Sequence, residues 1–261
     1  MTIYTKEQLS AHHNLLLEKV FQVNTRWPQF TLLLNDIKKL AEESSETEKV
    51  VSLERGLLYG GISLFAPYFF KSNFISIDCS PKAADESGAY NKSLVDDPRL
   101  IKINSSRRAS IENIGVEDDS VDLVVIPNLV HHVENQKKLF EEVSRIIKPG
   151  GKVYIFEAIV RELHQIPNDY IRYTPYGLSS ILESVGLNVA NCSHEGGPFS
   201  AISYCWEQAL EYIPEEERKE LERWYREEHF PMLMKFDNQY TENLVRKNSC
   251  FPVAFSVLAK K

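Results

Sequence analysis

Short apolar runs alternate along this chain with longer segments whose apolar residues recur at helix spacing, and that alternation restricts the possible folds more than any other feature. The apolar runs fall at 50–53, 74–77, 100–103, 121–126, 152–156 and 187–191, and an alternating run closes the chain at 252–259. Between them, Leu15, Leu16, Val20 and Phe21 form one helical stripe, and Leu32, Leu33, Leu34, Ile37 and Leu40 form a second. Residues 62–70 are an apolar helix candidate. The stretch 134–147 places Leu139, Phe140, Val143, Ile146 and Ile147 on one face, and Pro149-Gly150-Gly151 stops it. Thr174 caps a further helix that opens on Pro175, buries Leu178, Ile181, Leu182 and Val185, and closes at Gly186. Strands separated by helices join through right-handed crossovers, which predicts an α/β fold with a mostly parallel sheet covered on both faces.

Ligands on such sheets sit at the carboxyl ends of the strands, so the residues just after each apolar run are the ones to weigh. The composition narrows their chemistry. With 261 residues the chain is long enough for one substantial core, and its net charge of −7 argues against nucleic acid as a partner. The 198–248 segment contributes −4 of that charge, from 7 basic and 11 acidic residues, so the acidity belongs largely to one helical stretch. Cys79, Cys192, Cys205 and Cys250 are widely separated, which suggests neither zinc spacing nor a disulfide framework and predicts a reduced, cytoplasmic setting with no metal. The polar amino terminus has no signal-like apolar segment, and no membrane span is expected.

Residues 118–151, DDSVDLVVIPNLVHHVENQKKLFEEVSRIIKPGG, resemble the class I S-adenosylmethionine-dependent methyltransferases of the type 11 branch. That branch carries an acidic turn, a fourth strand, an LxHV segment and a helix ending E-x-x-R-x-L-K-P-G-G, matched here by Glu142, Arg145 and Lys148 to Gly151. A second stretch at 164–189, HQIPNDYIRYTPYGLSSILESVGLNV, is similar to a segment that several bacterial members carry after strand five. The resemblance implies a Rossmann-like seven-stranded sheet in a single domain. Its parts are N-terminal helices over 1–47, a core over 48–197, a helical insertion over 198–248 and a last strand over 249–261. It also implies S-adenosylmethionine as cofactor and a small polar acceptor, of saccharide or cell-envelope precursor type.

The candidate cofactor residues are Glu54, Gly56, Asp78, Cys79, Ser110, Ile111 and Asn128. A carboxylate ending strand two accepts two hydrogen bonds from a ribose diol, which makes Asp78 the ribose ligand; capping of the following turn is the other reading. By the resemblance, the Ser110 hydroxyl and the Ile111 N–H meet adenine. The first loop departs from the family: Ser52 stands where an acid is expected and Glu54 where the first glycine is, and Gly56 alone matches cleanly. Glu54, placed in the turn, replaces the missing acid by pairing with the cofactor's α-ammonium group, or else is a solvated loop charge in an eroded site. The candidates on the acceptor side are His132, His164, Asp169 and Arg172, with the histidines as bases for a hydroxyl acceptor. An Asp169–Arg172 ion pair that only shapes the loop is the alternative there. The eroded loop also leaves a different class open, a non-catalytic relative that binds or scaffolds.

Overall fold

The computed structural model describes residues 4–21, 30–54, 62–79, 92–104, 107–245 and 251–261. In chain order, α1 (Lys6–Leu16) runs into a π turn at Leu17–Phe21, followed by α2 (Phe30–Glu43), β1 (Lys49–Glu54), a 3-10 turn at Ala66–Phe69 and β2 (Asn73–Asp78). Then come α3 (Lys92–Val95), β3 (Arg107–Arg108), β4 (Val121–Pro127), a 3-10 turn at Val130–His132, α4 (Gln136–Ile146), β5 (Ile147–Ala158), α5 (Pro175–Glu183) and β6 (Asn188–Glu195). Helices α6 (Pro198–Leu210), α7 (Glu215–Trp224) and α8 (Phe230–Val245) precede the last strand, β7 (Ala254–Lys260).

The strands form one seven-stranded sheet in the order β3-β2-β1-β4-β5-β7-β6. Every pairing is parallel except those of β7, which runs antiparallel to both β5 and β6. The fold is therefore the expected Rossmann-like, mostly parallel sheet. Alternation along β4 shows how both faces are buried: Val124 and Ile126 join a cluster with Leu139, Phe140 and Val143 of α4 and Leu178 and Leu182 of α5. Leu123 and Val125 point the other way, to Leu15 and Leu16 of α1 and Leu33, Leu34 and Ile37 of α2. The N-terminal helices thus form the layer on one face of the sheet. Among the described residues no helix is long and apolar enough to cross a membrane.

Two local expectations need correction. The apolar run at 100–103 is not a strand; β3 is the short Arg107–Arg108 pairing beside β2. The end of that run pairs with 62–63 instead, with Ser63 N–H donating to Ile103 O at 2.8 Å and a bridge between Ile62 and Asn104, while Ile101 N–H donates to His12 Nδ1 at 3.2 Å. The same pairing holds 62–63 extended, so the apolar stretch 62–70 yields only the turn at Ala66–Phe69 rather than a helix.

The motif of 118–151 reads as a latch at the amino-terminal edge of the sheet. Glu142 accepts from Arg145 Nε at 2.7 Å and Nη2 at 2.6 Å and from Ile114 N–H at 2.8 Å. Lys148 Nζ reaches both oxygens of Asp122, at 2.7 and 2.8 Å, and Asp122 also accepts from Lys49 N–H at 2.9 Å, which ties β1, β4 and β5 together.

Candidate active site

Glu54, Asp78 and Asn128 end or follow β1, β2 and β4, so the parallel sheet delivers them to one edge. Glu54 is the last residue of β1, in register with Asp78 of β2, and not part of the turn that the sequence suggested. It is buried, and Ser63 Oγ donates to its Oε1 at 2.8 Å. Burial raises its carboxyl to about 7, against the opposing pull of the Ser52, Ser63 and Ser76 hydroxyls. Asp78 is buried as well, and Arg108 Nε lies 3.4 Å from its Oδ2. Beside it, Cys79 N–H donates to Glu54 O at 2.8 Å and Ala109 N–H to Asp78 O at 3.2 Å. That places Cys79 just beyond β2, and Ser110 and Ile111 just beyond the neighbouring β3. The Ser110 hydroxyl accepts from Glu112 N–H at 3.2 Å, and Ile111 packs on the core. Gly56 lies outside the described residues.

Asn128 adopts a left-handed backbone, φ 56°, which asparagine tolerates better than most residues, and its N–H donates to Phe156 O at 2.8 Å. Its side-chain Oδ1 is buried without a hydrogen-bond partner among the described residues. A buried acceptor of this kind is costly unless a donor reaches it. Hydrogen-bond donors such as the α-ammonium group of the methionine tail and the ribose diol of S-adenosylmethionine are the chemistry that Glu54, Asp78 and Asn128 suit.

On the same edge the loops after β4 and β5 converge. Tyr170 N–H donates to His131 O at 2.8 Å, and three histidine rings pack together, with centroids 3.9 Å apart for His131–His132, 5.2 Å for His131–His164 and 4.8 Å for His132–His164. Each ring has its Nδ1 engaged: His131 with Glu157 Oε2 at 2.6 Å, His132 with Asn168 O at 2.5 Å, and His164 with Glu162 O at 3.1 Å. Glu157 also accepts from Val130 N–H at 2.6 Å, and burial raises its carboxyl to about 8. Burial lowers His164 to about 4, with the Arg161 charge adding to the effect, so this ring is neutral at physiological pH.

Asp169 and Arg172 stand in that loop but engage each other. Arg172 Nη1 and Nη2 donate to the two Asp169 oxygens at 2.5 and 2.7 Å, Nη2 also reaches Glu162 O at 2.9 Å, and Asp169 accepts from His164 N–H at 2.9 Å. The pair fastens the segment that carries His164. The helical insertion touches the same loop, since the Tyr204 hydroxyl of α6 donates to Glu162. Glu157 follows the fifth apolar run, among the strand-end residues the sequence points to, but received no role there, and Ser63 is a site neighbour that the sequence reading did not single out.

A family model described as a methyltransferase domain matches residues 53–155. Over 47 residues the chain is 40% identical to the thiol S-methyltransferase TMT1A of Homo sapiens, a stretch that covers 18% of this chain and 19% of that protein. In fold it is similar to a SAM-dependent methyltransferase from Archaeoglobus fulgidus, with TM-score 0.52, 16% identity, and 95% of this chain and 99% of that one covered. It is also similar to phosphoethanolamine N-methyltransferase 2 of Haemonchus contortus, solved with phosphomonomethylethanolamine and S-adenosylhomocysteine, with TM-score 0.51 and 17% identity over 99% of this chain and 58% of that one. The matched domain and the strand order agree, and both support a class I S-adenosylmethionine-dependent methyltransferase fold around residues 53–155.

Proposed function

We propose that this protein transfers a methyl group from S-adenosylmethionine to a small polar acceptor of saccharide or cell-envelope precursor type, in the cytoplasm. The single observation that carries the reading is the convergence, on one sheet edge, of two buried carboxyl groups, the unpartnered Asn128 Oδ1 and a histidine cluster. Bound S-adenosylmethionine supplies an electrophilic methyl on sulfur. Asp78 accepts from the ribose hydroxyls, Ser110 and Ile111 meet the adenine ring, and Cys79 lines the same wall. Glu54 and Asn128 hold the α-ammonium group, with Glu54 ionised by that pairing.

On the acceptor side His132 orients through its Nδ1, which donates to the Asn168 carbonyl and leaves Nε2 with its lone pair, a proton acceptor when no cation occupies it. His164 is set in the same way by the Glu162 carbonyl. Asp169 and Arg172 hold that loop in place, and the polar side chains around it suit a hydroxyl-bearing acceptor better than an apolar one. Positioning supplies most of the rate in such a displacement, so a loop fastened at several points serves the chemistry directly.

Calorimetric titration with S-adenosylhomocysteine tests the reading. Saturable binding in the micromolar range, followed by methyl incorporation into a panel of small hydroxylated acceptors, is the expected result. Lack of binding at millimolar ligand would replace it with a non-catalytic relative that retains the fold.

A further inference from the structure

We propose that His131, His132 and His164 form a binding site for one divalent transition metal ion of the zinc type. A ring nitrogen from each of the three lies within 4.8 Å of the others. The tightest approach is the most telling, because His131 Nε2 sits 3.4 Å from His164 Nε2. Two imidazole nitrogens bound to one tetrahedral zinc at about 2.0–2.1 Å are themselves about 3.4 Å apart. Geometry of this kind is therefore already suited to a shared cation.

The second observation is the state of the other ring nitrogens. The carbonyls of Asn168 and Glu162 can only accept, so His132 Nδ1 and His164 Nδ1 carry hydrogens and their Nε2 atoms are lone-pair nitrogens. His131 Nδ1 lies 2.6 Å from Glu157 Oε2, and a cation on His131 Nε2 would ionise that carboxyl and complete the carboxylate–histidine arrangement that fixes ring orientation around bound metals. Each of the three candidate ligands thus has its outer partner in place, supplied by a different residue. Asp169 adds a further carboxylate 3.2 Å from His164 Nδ1, while Arg172 is neutralised by that same Asp169.

No cysteine or carboxylate joins the cluster as a fourth ligand among the described residues. Three protein ligands with one open position are the pattern of metal sites that take water or a substrate atom, in contrast to closed structural sites. His131 and His132 are buried, whereas His164 is partly exposed, which gives an ion a route in from the loop side. Sequence spacing concealed the site because two adjacent histidines and a third more than thirty residues later match no metal signature. It lies where the loops after β4 and β5 meet, so the open position is available to a hydroxyl or thiol group of an acceptor. That last role rests on the methyl-transfer reading, whereas metal binding itself does not.

The full-length protein, stripped with a chelator and free of methyl donor, is titrated with zinc by calorimetry and with cobalt by visible absorption. Saturation at one equivalent with the intense absorption of tetrahedral cobalt is the expected outcome. His164→Ala and His132→Ala each abolish that spectrum, and Glu157→Gln weakens zinc binding by roughly 10- to 100-fold. A weak octahedral cobalt spectrum in the parent, or zinc binding unchanged in both histidine variants, would overturn the proposal and leave a proton-sharing histidine network. The parent spectrum decides even where a variant fails to fold, and separate S-adenosylhomocysteine titrations keep this result apart from that of the methyl-transfer reading.

Discussion

Glu54 and Asp78 are register partners at the ends of β1 and β2, two carboxyl groups side by side with 5% and 4% of their surfaces exposed. Burial first, and the neighbouring Asp78 charge to a lesser degree, raise the Glu54 carboxyl from 4.5 to about 7. A carboxyl raised in the folded state binds more protons than its unfolded counterpart between these values, so its contribution to stability is lost as pH rises through that window. The loss approaches about 3 kcal/mol. Urea midpoints measured at about pH 5 and about pH 8 are expected to differ less in Glu54→Gln than in the parent. Equal pH slopes in the two proteins would refute the assignment.

Asp78 yields a binding prediction. Hydrogen bonds to a charged acceptor contribute about 1.5–3 kcal/mol, so Asp78→Asn is expected to weaken S-adenosylhomocysteine by roughly ten- to a hundred-fold. Calorimetry on both proteins reads this directly. An unchanged dissociation constant would mean that Asp78 serves the fold, through contacts such as that with Arg108, and not the cofactor.

The Asp169–Arg172 clamp is a stability element. Burial works against the Asp169 charge, yet the Arg172 hydrogen bonds and the His164 N–H hold its carboxyl well below the ordinary value. Arg172→Ala leaves a carboxylate that is 2% exposed without its cation. The expected cost is about 3 kcal/mol near neutral pH, and Arg172→Lys recovers only part of it because the two-pronged contact is gone. A depressed carboxyl stabilises above its unfolded value and loses that contribution as pH falls, so parent and variant converge below about pH 4. Thermal melts across this range check both statements.

Gly150 and Gly151 test two different demands on neighbouring residues. A Cβ on Gly151 would lie 2.7 Å from Ile147 Cγ1, 3.0 Å from Lys148 O and 3.2 Å from Asp122 O, so Gly151→Ala forces the latch apart. Gly150 has open space around it but a φ of +80°, so Gly150→Ala meets only backbone strain. The expected losses are about 1–3 kcal/mol for Gly151→Ala and about 1 kcal/mol for Gly150→Ala. Denaturant unfolding that ranks them in the reverse order would contradict the packing described above.

The alternation of apolar runs with helical stripes was enough to specify a mostly parallel sheet, because strand and helix periods are written locally and each buried face needs its own pattern. Thr174 illustrates this: the cap, Pro175 and the apolar face at 178–185 lie within twelve consecutive residues, and the helix forms where they indicate. Tertiary structure decided the run at 100–103, whose Ile103 carbonyl pairs with Ser63 some forty residues away while its Ile101 N–H goes to His12. It also showed that Lys148 of the most recognisable motif ties strands together through Asp122 while Glu142 and Arg145 fasten α4 to the 114–118 loop, all away from the strand ends that carry Glu54 and Asp78. The sequence by itself determined that histidines and acids would gather at one edge of the sheet. Only the folded chain determined that Nδ1 of His131 and His132 would be held by Glu157 and Asn168, since those partners come from β5 and the loop after it, 26 and 36 residues on, whereas the Glu162 partner of His164 is local.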